Sequence, residues 1–187
     1  QEVALQGQPV RLCLDRAGYV GGDGAIHHGF MDMALFRGMP GVVMCAACDE
    51  PTLRAGLEFQ RHYDDGPSVM RYPRDQVPAE PLQADPPPFE LGKANLVKRT
   101  GAGSHAPQLA ILAYGPMVYT AAEALDTLAD RGWDIALYDA RFAMPVDSAL
   151  IGELTEAGTP MLTVEDHARS GGFGTSVLEA VNDAGLS

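Results

Sequence analysis

Five prolines fall between residues 75 and 92: Pro78, Pro81, Pro86, Pro87 and Pro88. Proline fixes φ and has no N–H, so neither a helix interior nor a central strand passes through such a stretch. The spacing predicts a stiff, extended connector. It divides the chain into residues 1–77, a linker over 78–92, and residues 93–187.

On both sides of the linker, apolar runs of strand length alternate with helical periodicity. Before it, strands are expected over 9–14, 41–46 and 68–71, and helices over 30–36 and from Glu50 to about His62. Asp49 serves as the N-cap of the second helix, with Pro51 in its first turn. After it, strands are expected over 109–114, 134–138 and 160–164, and helices over 117–131, 148–157 and 174–183. In the helix over 117–131, Val118, Ala121, Ala122, Leu125 and Leu128 share one face. Strands and helices of these lengths predict an α/β fold of two lobes with mostly parallel sheets. Three strands make a thin parallel sheet when both faces need cover. The chain also opens on Gln1, so residues 1–77 read as the later part of a domain.

Of the 187 residues, 46% are hydrophobic and 20% charged, which is enough apolar material for a packed core. The formal net charge of −12 excludes general binding to nucleic acid or anionic membrane, so an anionic substrate demands a local arginine cluster. The sequence shows neither a membrane-length apolar run nor a leader pattern. Three cysteines fit a reducing, cytoplasmic setting better than a disulfide framework. Cys45 and Cys48 form a C-x-x-C with no second pair to complete a zinc site, and they read as small buried residues at a strand end.

The connection from Asp15 to Gly29 concentrates chemistry. It carries Arg16, Asp23, His27 and His28 among Gly18, Gly21, Gly22, Gly24 and Gly29, directly after an apolar strand. Glycines let backbone approach a ligand, and open α/β sheets bind ligands beyond the carboxyl ends of their strands. Arg74 follows another strand in Arg71-Tyr72-Pro73-Arg74. In a parallel sheet Arg16 and Arg74 leave by the same edge. Two readings then stand: their planar forks converge on a phosphate, or each pairs with a nearby carboxylate. His27 is the natural proton handler, with Asp23 placed to hold it or to bind a hydroxyl; His28 is an equal candidate on sequence grounds. A second polar junction, Glu165-Asp166-His167 before Gly171-Gly172-Phe173-Gly174, reads as a helix start with glycines for close packing. The dinucleotide spacing G-x-G-x-x-G is absent from it. His62 and His105 read as exposed.

These motifs, in order, resemble a known family. Asp15-Arg16-Ala17-Gly18, Asp23-Gly24-Ala25-Ile26-His27, Asp65-Gly66-Pro67-Ser68 and Arg71-Tyr72-Pro73-Arg74 are similar to segments of the 1-deoxy-D-xylulose 5-phosphate synthases, thiamine diphosphate enzymes of the transketolase superfamily. Leu112 to Val118, Asp139 to Asp147 and Val164-Glu165-Asp166 with Gly171 to Gly174 resemble their C-terminal domain. The order and company of the motifs favour this family over transketolase itself or the β subunit of 2-oxo acid dehydrogenases.

The resemblance implies part of a thiamine-diphosphate-binding (pyrimidine) domain over 1–77 and a truncated transketolase C-terminal domain over 93–187. It implies a cytoplasmic homodimer that condenses pyruvate with D-glyceraldehyde 3-phosphate, releases CO2 and feeds isoprenoid and thiamine biosynthesis. Thiamine diphosphate and Mg2+ are the implied cofactors. Their main ligands, and the family's ring-activating glutamate, are expected in an N-terminal part outside this sequence, so no metal ligand is assigned here. On that reading the isolated chain is inactive. By position, Arg16 and Arg74 match the arginines that hold the acceptor phosphate. His27 and Asp23 match the catalytic histidine and the aspartate of the same loop. Two residues depart from the pattern: Asp75 replaces a glycine beside the phosphate site, and Met144 replaces a lysine before Pro145. A non-catalytic dimerisation lobe is the remaining alternative, and it has no need of all four polar residues.

Overall fold

Two four-stranded sheets carry the chain, and each acquires one antiparallel strand at an edge. The computed structural model describes residues 1–101 and 105–185. A one-turn helix α1 (Glu2–Leu5) precedes β1 (Arg11–Leu14). Two 3-10 turns, Gly21–Asp23 and Ala25–His27, lie in the glycine-rich loop, followed by α2 (Asp32–Phe36), β2 (Val43–Ala46), α3 (Glu50–His62) and β3 (Ser68–Arg71). Beyond the linker come β4 (Asn95–Arg99), β5 (Leu109–Ala113), α4 (Met117–Ala129), β6 (Ile135–Asp139), β7 (Phe142–Met144), α5 (Ser148–Glu156), β8 (Met161–Val164) and α6 (Phe173–Asp183).

The first sheet has the order β1-β3-β2-β7, and the second β4-β6-β5-β8. β1, β3 and β2 run parallel, as do β6, β5 and β8. The α/β architecture with mostly parallel sheets is as the sequence predicts. Two strands are not: β4 pairs antiparallel with β6, and β7 pairs antiparallel with β2. β4 escapes periodicity because its residues are only partly buried, and β7 because three residues are too short to show a period. β7 lies after the linker in sequence yet completes the sheet before it, so the thin three-stranded sheet gains its fourth strand from the other half of the chain.

The linker is not a bare spacer. Leu82 N donates to Tyr119 Oη at 3.0 Å. Arg141 donates from Nη1 to Pro88 O and from Nη2 to Pro87 O, both at 3.0 Å, while its guanidinium lies 4.4 Å from the centre of the Phe89 ring. Phe89 packs with Phe142 and Met70 in a buried cluster beside α3.

The main core joins Met44 and Val69 of the first sheet to Leu112, Tyr114 and Phe173 of the second half. A second cluster buries the apolar face of α4, including Val118 and Leu125, on Ile111 and Leu137; full burial of such side chains contributes roughly 1.5–3 kcal/mol each. α3 starts as expected. Asp49 accepts from Thr52 N, Thr52 reciprocates at the Asp49 N–H, and Pro51 occupies the first turn. Cys45 and Cys48 are buried, and loss of water pushes both thiols above their ordinary range. That agrees with a packing role. His62 and His105 are exposed, as expected.

Candidate functional site

Leu14 of β1 stands opposite Arg71 of β3 in parallel register, so the chain leaves both strands at one sheet edge. Beyond the strands, Tyr72 N donates to Leu14 O at 3.0 Å and Ala17 N donates to Tyr72 O at 3.0 Å. These bonds zip the two exits together and carry Arg16 and Arg74 to the same place. Arg16 has φ +62, a left-handed conformation that a residue with a Cβ rarely adopts.

The loop that follows is pinched at its base. Gly18 N donates to Gly29 O at 3.0 Å, and Gly29 N returns to Gly18 O at 2.8 Å. Gly29 is required there because a Cβ would land on the Arg16 carbonyl oxygen. At Gly18, where φ is +74, a Cβ would fall inside the Asp166 carboxylate. Asp166 Oδ2 instead accepts from Tyr19 N at 3.0 Å.

Both guanidiniums meet at Asp23. Arg16 Nε lies 2.9 Å from Asp23 Oδ2, and Arg74 Nη1 lies 3.1 Å from Oδ1. Arg16 also pairs with Asp15. The Arg16 hydrogen bond holds the Asp23 carboxyl below its ordinary range; partial desolvation opposes this, and Arg74 and His27 reinforce it. Of the two sequence readings, convergence is present, and the anion occupying the convergence point is an internal carboxylate. Asp75, the negative residue after Arg74, accepts instead from Gln76 N at 2.7 Å.

His27 is exposed, and its Nδ1 lies 2.8 Å from the backbone oxygen of Asp23. A carbonyl only accepts, so Nδ1 carries hydrogen and Nε2 is left to exchange a proton. The carbonyl of Asp23, rather than its carboxylate, therefore orients His27. His28 differs: its Nδ1 accepts from Val20 N at 3.2 Å, and its ring packs 4.9 Å from Tyr19 and 5.8 Å from Phe30. The structure separates the two histidines that the sequence left equal.

A buried assembly behind the loop escapes sequence reading. The Arg71 side chain is 1% exposed; its Nε donates to Asp32 Oδ2 at 2.8 Å and its Nη2 to Gly29 O at 3.2 Å. His167 Nε2, fully enclosed, is 3.3 Å from Asp32 Oδ1. Burial raises the Asp32 carboxyl, but His167 and Arg71 outweigh it and hold the group below its ordinary range. The only hint in the sequence is an arginine that ends a short strand directly after Val69 and Met70. At the second polar junction, Glu165 accepts from Phe173 N at 2.6 Å and Gly174 N at 2.8 Å, capping α6. This is the helix start predicted there.

Among the described residues no cluster of three or more His, Cys, Asp or Glu side chains is arranged to hold a metal ion. With Asp23 between the arginines, the residues present form no magnesium or diphosphate cradle. What they present at the sheet edge is an exposed imidazole beside two partly exposed guanidiniums.

Comparison with known proteins agrees on both halves. Residues 1–80 match the transketolase pyrimidine binding domain, and residues 99–187 the transketolase C-terminal domain. The 1-deoxy-D-xylulose-5-phosphate synthase of Gloeobacter violaceus is 41% identical over 187 residues, and that of Thermomicrobium roseum 40% over 185. These alignments cover 100% and 99% of this chain, which spans 28% of the length of either relative. A solved structure described as a split gene transketolase, inactive beta4 tetramer, superposes with a TM-score of 0.79 at 26% identity, covering 93% of this chain and 54% of that one. With a transketolase domain matched on each side of the proline-rich linker, the chain belongs to the transketolase family.

Proposed function

We propose that this chain forms the acceptor-binding wall of a thiamine-diphosphate-dependent transferase that condenses pyruvate with D-glyceraldehyde 3-phosphate to 1-deoxy-D-xylulose 5-phosphate and CO2. The observation that carries the reading is the meeting of Arg16, Arg74 and His27 around one loop at the edge of a parallel sheet. Alignments that run along nearly all of this chain, and over 28% of the length of synthases of that name, support it.

Thiamine diphosphate, when bound, supplies the nucleophilic carbon. The residues of this chain do the rest of the work on the acceptor. Arg16 and Arg74 grip its phosphate with charged, planar forks, which turns binding into alignment of the distant aldehyde. As the new carbon–carbon bond forms, the aldehyde oxygen gains charge and takes a proton from His27 Nε2. The Nδ1 bond to the Asp23 carbonyl leaves Nε2 as the nitrogen that carries the exchanged proton. Mg2+ belongs to the proposal as a partner of the diphosphate held by residues outside this site.

The three free thiols suit a reducing, cytoplasmic compartment. The homodimer is part of the same proposal: Tyr19, Ile26, Met31 and Leu35 leave an exposed apolar rim beside the loop, of the kind a second copy covers. No helix among the described residues is long and apolar enough to cross a membrane.

Steady-state kinetics of the complete enzyme to which this chain belongs, with and without Arg74→Ala, test the assignment. KM for the phosphorylated aldehyde should rise roughly tenfold or more, with KM for pyruvate almost unmoved. An equal rise for both substrates would exclude the role. His27→Asn should lower kcat with little change in either KM; an unchanged kcat would exclude His27 as the proton donor.

A further inference from the structure

We propose that the Asp23 carboxylate is a built-in occupant of the anion seat between Arg16 and Arg74 and determines its specificity: a phosphate dianion displaces it, and a monocarboxylate does not. The inference rests on the phosphate-binding role given above to the two arginines.

The seat is built and filled. Each Asp23 carboxylate oxygen faces a different guanidinium, Oδ2 toward Arg16 and Oδ1 toward Arg74. Arg16 and Arg74 retain 39% and 55% side-chain exposure, against 21% for Asp23. A ligand can therefore reach both cations while the carboxylate still lies between them.

The arginines and the aspartate differ in how firmly they are held. Arg16 adjoins the pinched base of the loop and the Ala17–Tyr72 bond, and Arg74 follows Pro73 directly after β3. Asp23 ends a single 3-10 turn flanked by Gly21 with φ +51 and Gly24 with φ +86. A Cβ added at Gly21, Gly22 or Gly24 would meet nothing within 4 Å. The turn thus has room to swing aside while the backbone leading to both arginines stays paired.

Charge decides what can drive that movement. With Asp15 and Asp23 in place, the two guanidiniums are balanced by two carboxylates. An incoming monocarboxylate merely replaces a chemically equal group that is tethered a few residues away. A tether of this kind corresponds to an effective concentration on the order of millimolar or more, which the free ligand must exceed. A phosphate dianion brings twice the charge and three oxygens for two forks, so exchange favours it. The donor carboxylate is thereby kept out of the acceptor's seat. Because the Asp23 carbonyl holds His27 Nδ1, displacement of the turn also moves the imidazole when the acceptor arrives.

Calorimetric titration of the 187-residue chain with inorganic phosphate and with acetate, at equal ionic strength, tests the exchange. The unaltered chain should bind phosphate and show no heat with acetate. Asp23→Asn should bind phosphate roughly tenfold more tightly and acquire measurable acetate binding. Phosphate should also shift the His27 ring signals in NMR spectra of the unaltered chain. Unchanged or weaker phosphate binding in Asp23→Asn overturns the proposal, as does acetate binding to the unaltered chain as strong as that of phosphate. Asp23→Ser carries the same test if the asparagine variant does not fold. If Arg74→Ala abolishes phosphate binding while Asp23→Asn leaves it unchanged, the exchange alone is wrong. If neither the unaltered chain nor Asp23→Asn binds phosphate, the phosphate role of the arginines falls with it.

Discussion

The two glycine-rich polar junctions, Asp15 to Gly29 after β1 and Glu165 to Gly174 after β8, are near equals in composition and opposites in use. At the second, each acidic or imidazole group is drawn inward. Glu165 caps α6, Asp166 receives the Tyr19 N–H, and His167 is enclosed against Asp32. At the first, Arg16, Asp23 and His27 keep solvent-facing surface and satisfy one another. Helix geometry explains the contrast. α6 begins directly at Phe173 and leaves N–H groups that need acceptors. The first loop makes two short 3-10 turns before α2 and closes its own backbone at Gly18 and Gly29. One junction is a foundation; the other stands on it.

The contrast is sharpest at Asp32, which joins them. Asp32→Asn should be the most destabilising of the changes considered, by about 3 kcal/mol, because Arg71 is left buried with its charge uncompensated. Urea unfolding at pH 7 measures it. The sign with pH follows from the depressed carboxyl: its contribution is complete above the ordinary carboxylate value near 4 and fades as pH falls below it. The difference between Asp32→Asn and the unaltered chain should therefore shrink toward pH 3. A difference that grew on acidification would contradict the ion-pair account.

Gly18→Ala comes next, at about 2 kcal/mol, since the added Cβ meets Asp166 and the backbone is left-handed. Its unfolding midpoint should drop, and pairing with Asp166→Ala should recover part of the loss. Glu165→Ala removes the acceptor from two helix N–H groups and should cost about 1 kcal/mol. Smallest of all is Arg16→Ala, which should leave the urea midpoint within error while abolishing phosphate binding. A large stability loss there would erase the distinction between the two junctions.

Much of this could be read from residues alone. The capping box at Asp49, the edges of β3, and the convergence of Arg16 with Arg74 follow from periodicity, turn chemistry and parallel pairing. Five things could not. β4 is only partly buried and shows no clear period, and the Arg71–Asp32–His167 assembly joins residues far apart in the chain. β7 is too short to announce itself. His27 and His28 differ only in which neighbours their rings meet. The internal anion at Asp23 depends on side-chain distances that no spacing rule supplies.

The return of β7 to the first sheet has a consequence for how the polypeptide is made. Val43–Ala46 lacks its outer neighbour until residue 144 has left the ribosome, so residues 1–77 cannot finish folding while synthesis is still in the linker. For the same reason, a protease nick between residues 79 and 85 should yield two pieces that elute together. The join between the halves is made by hydrogen-bonded backbone and shared apolar interior, and the covalent thread that connects them is dispensable once it has formed.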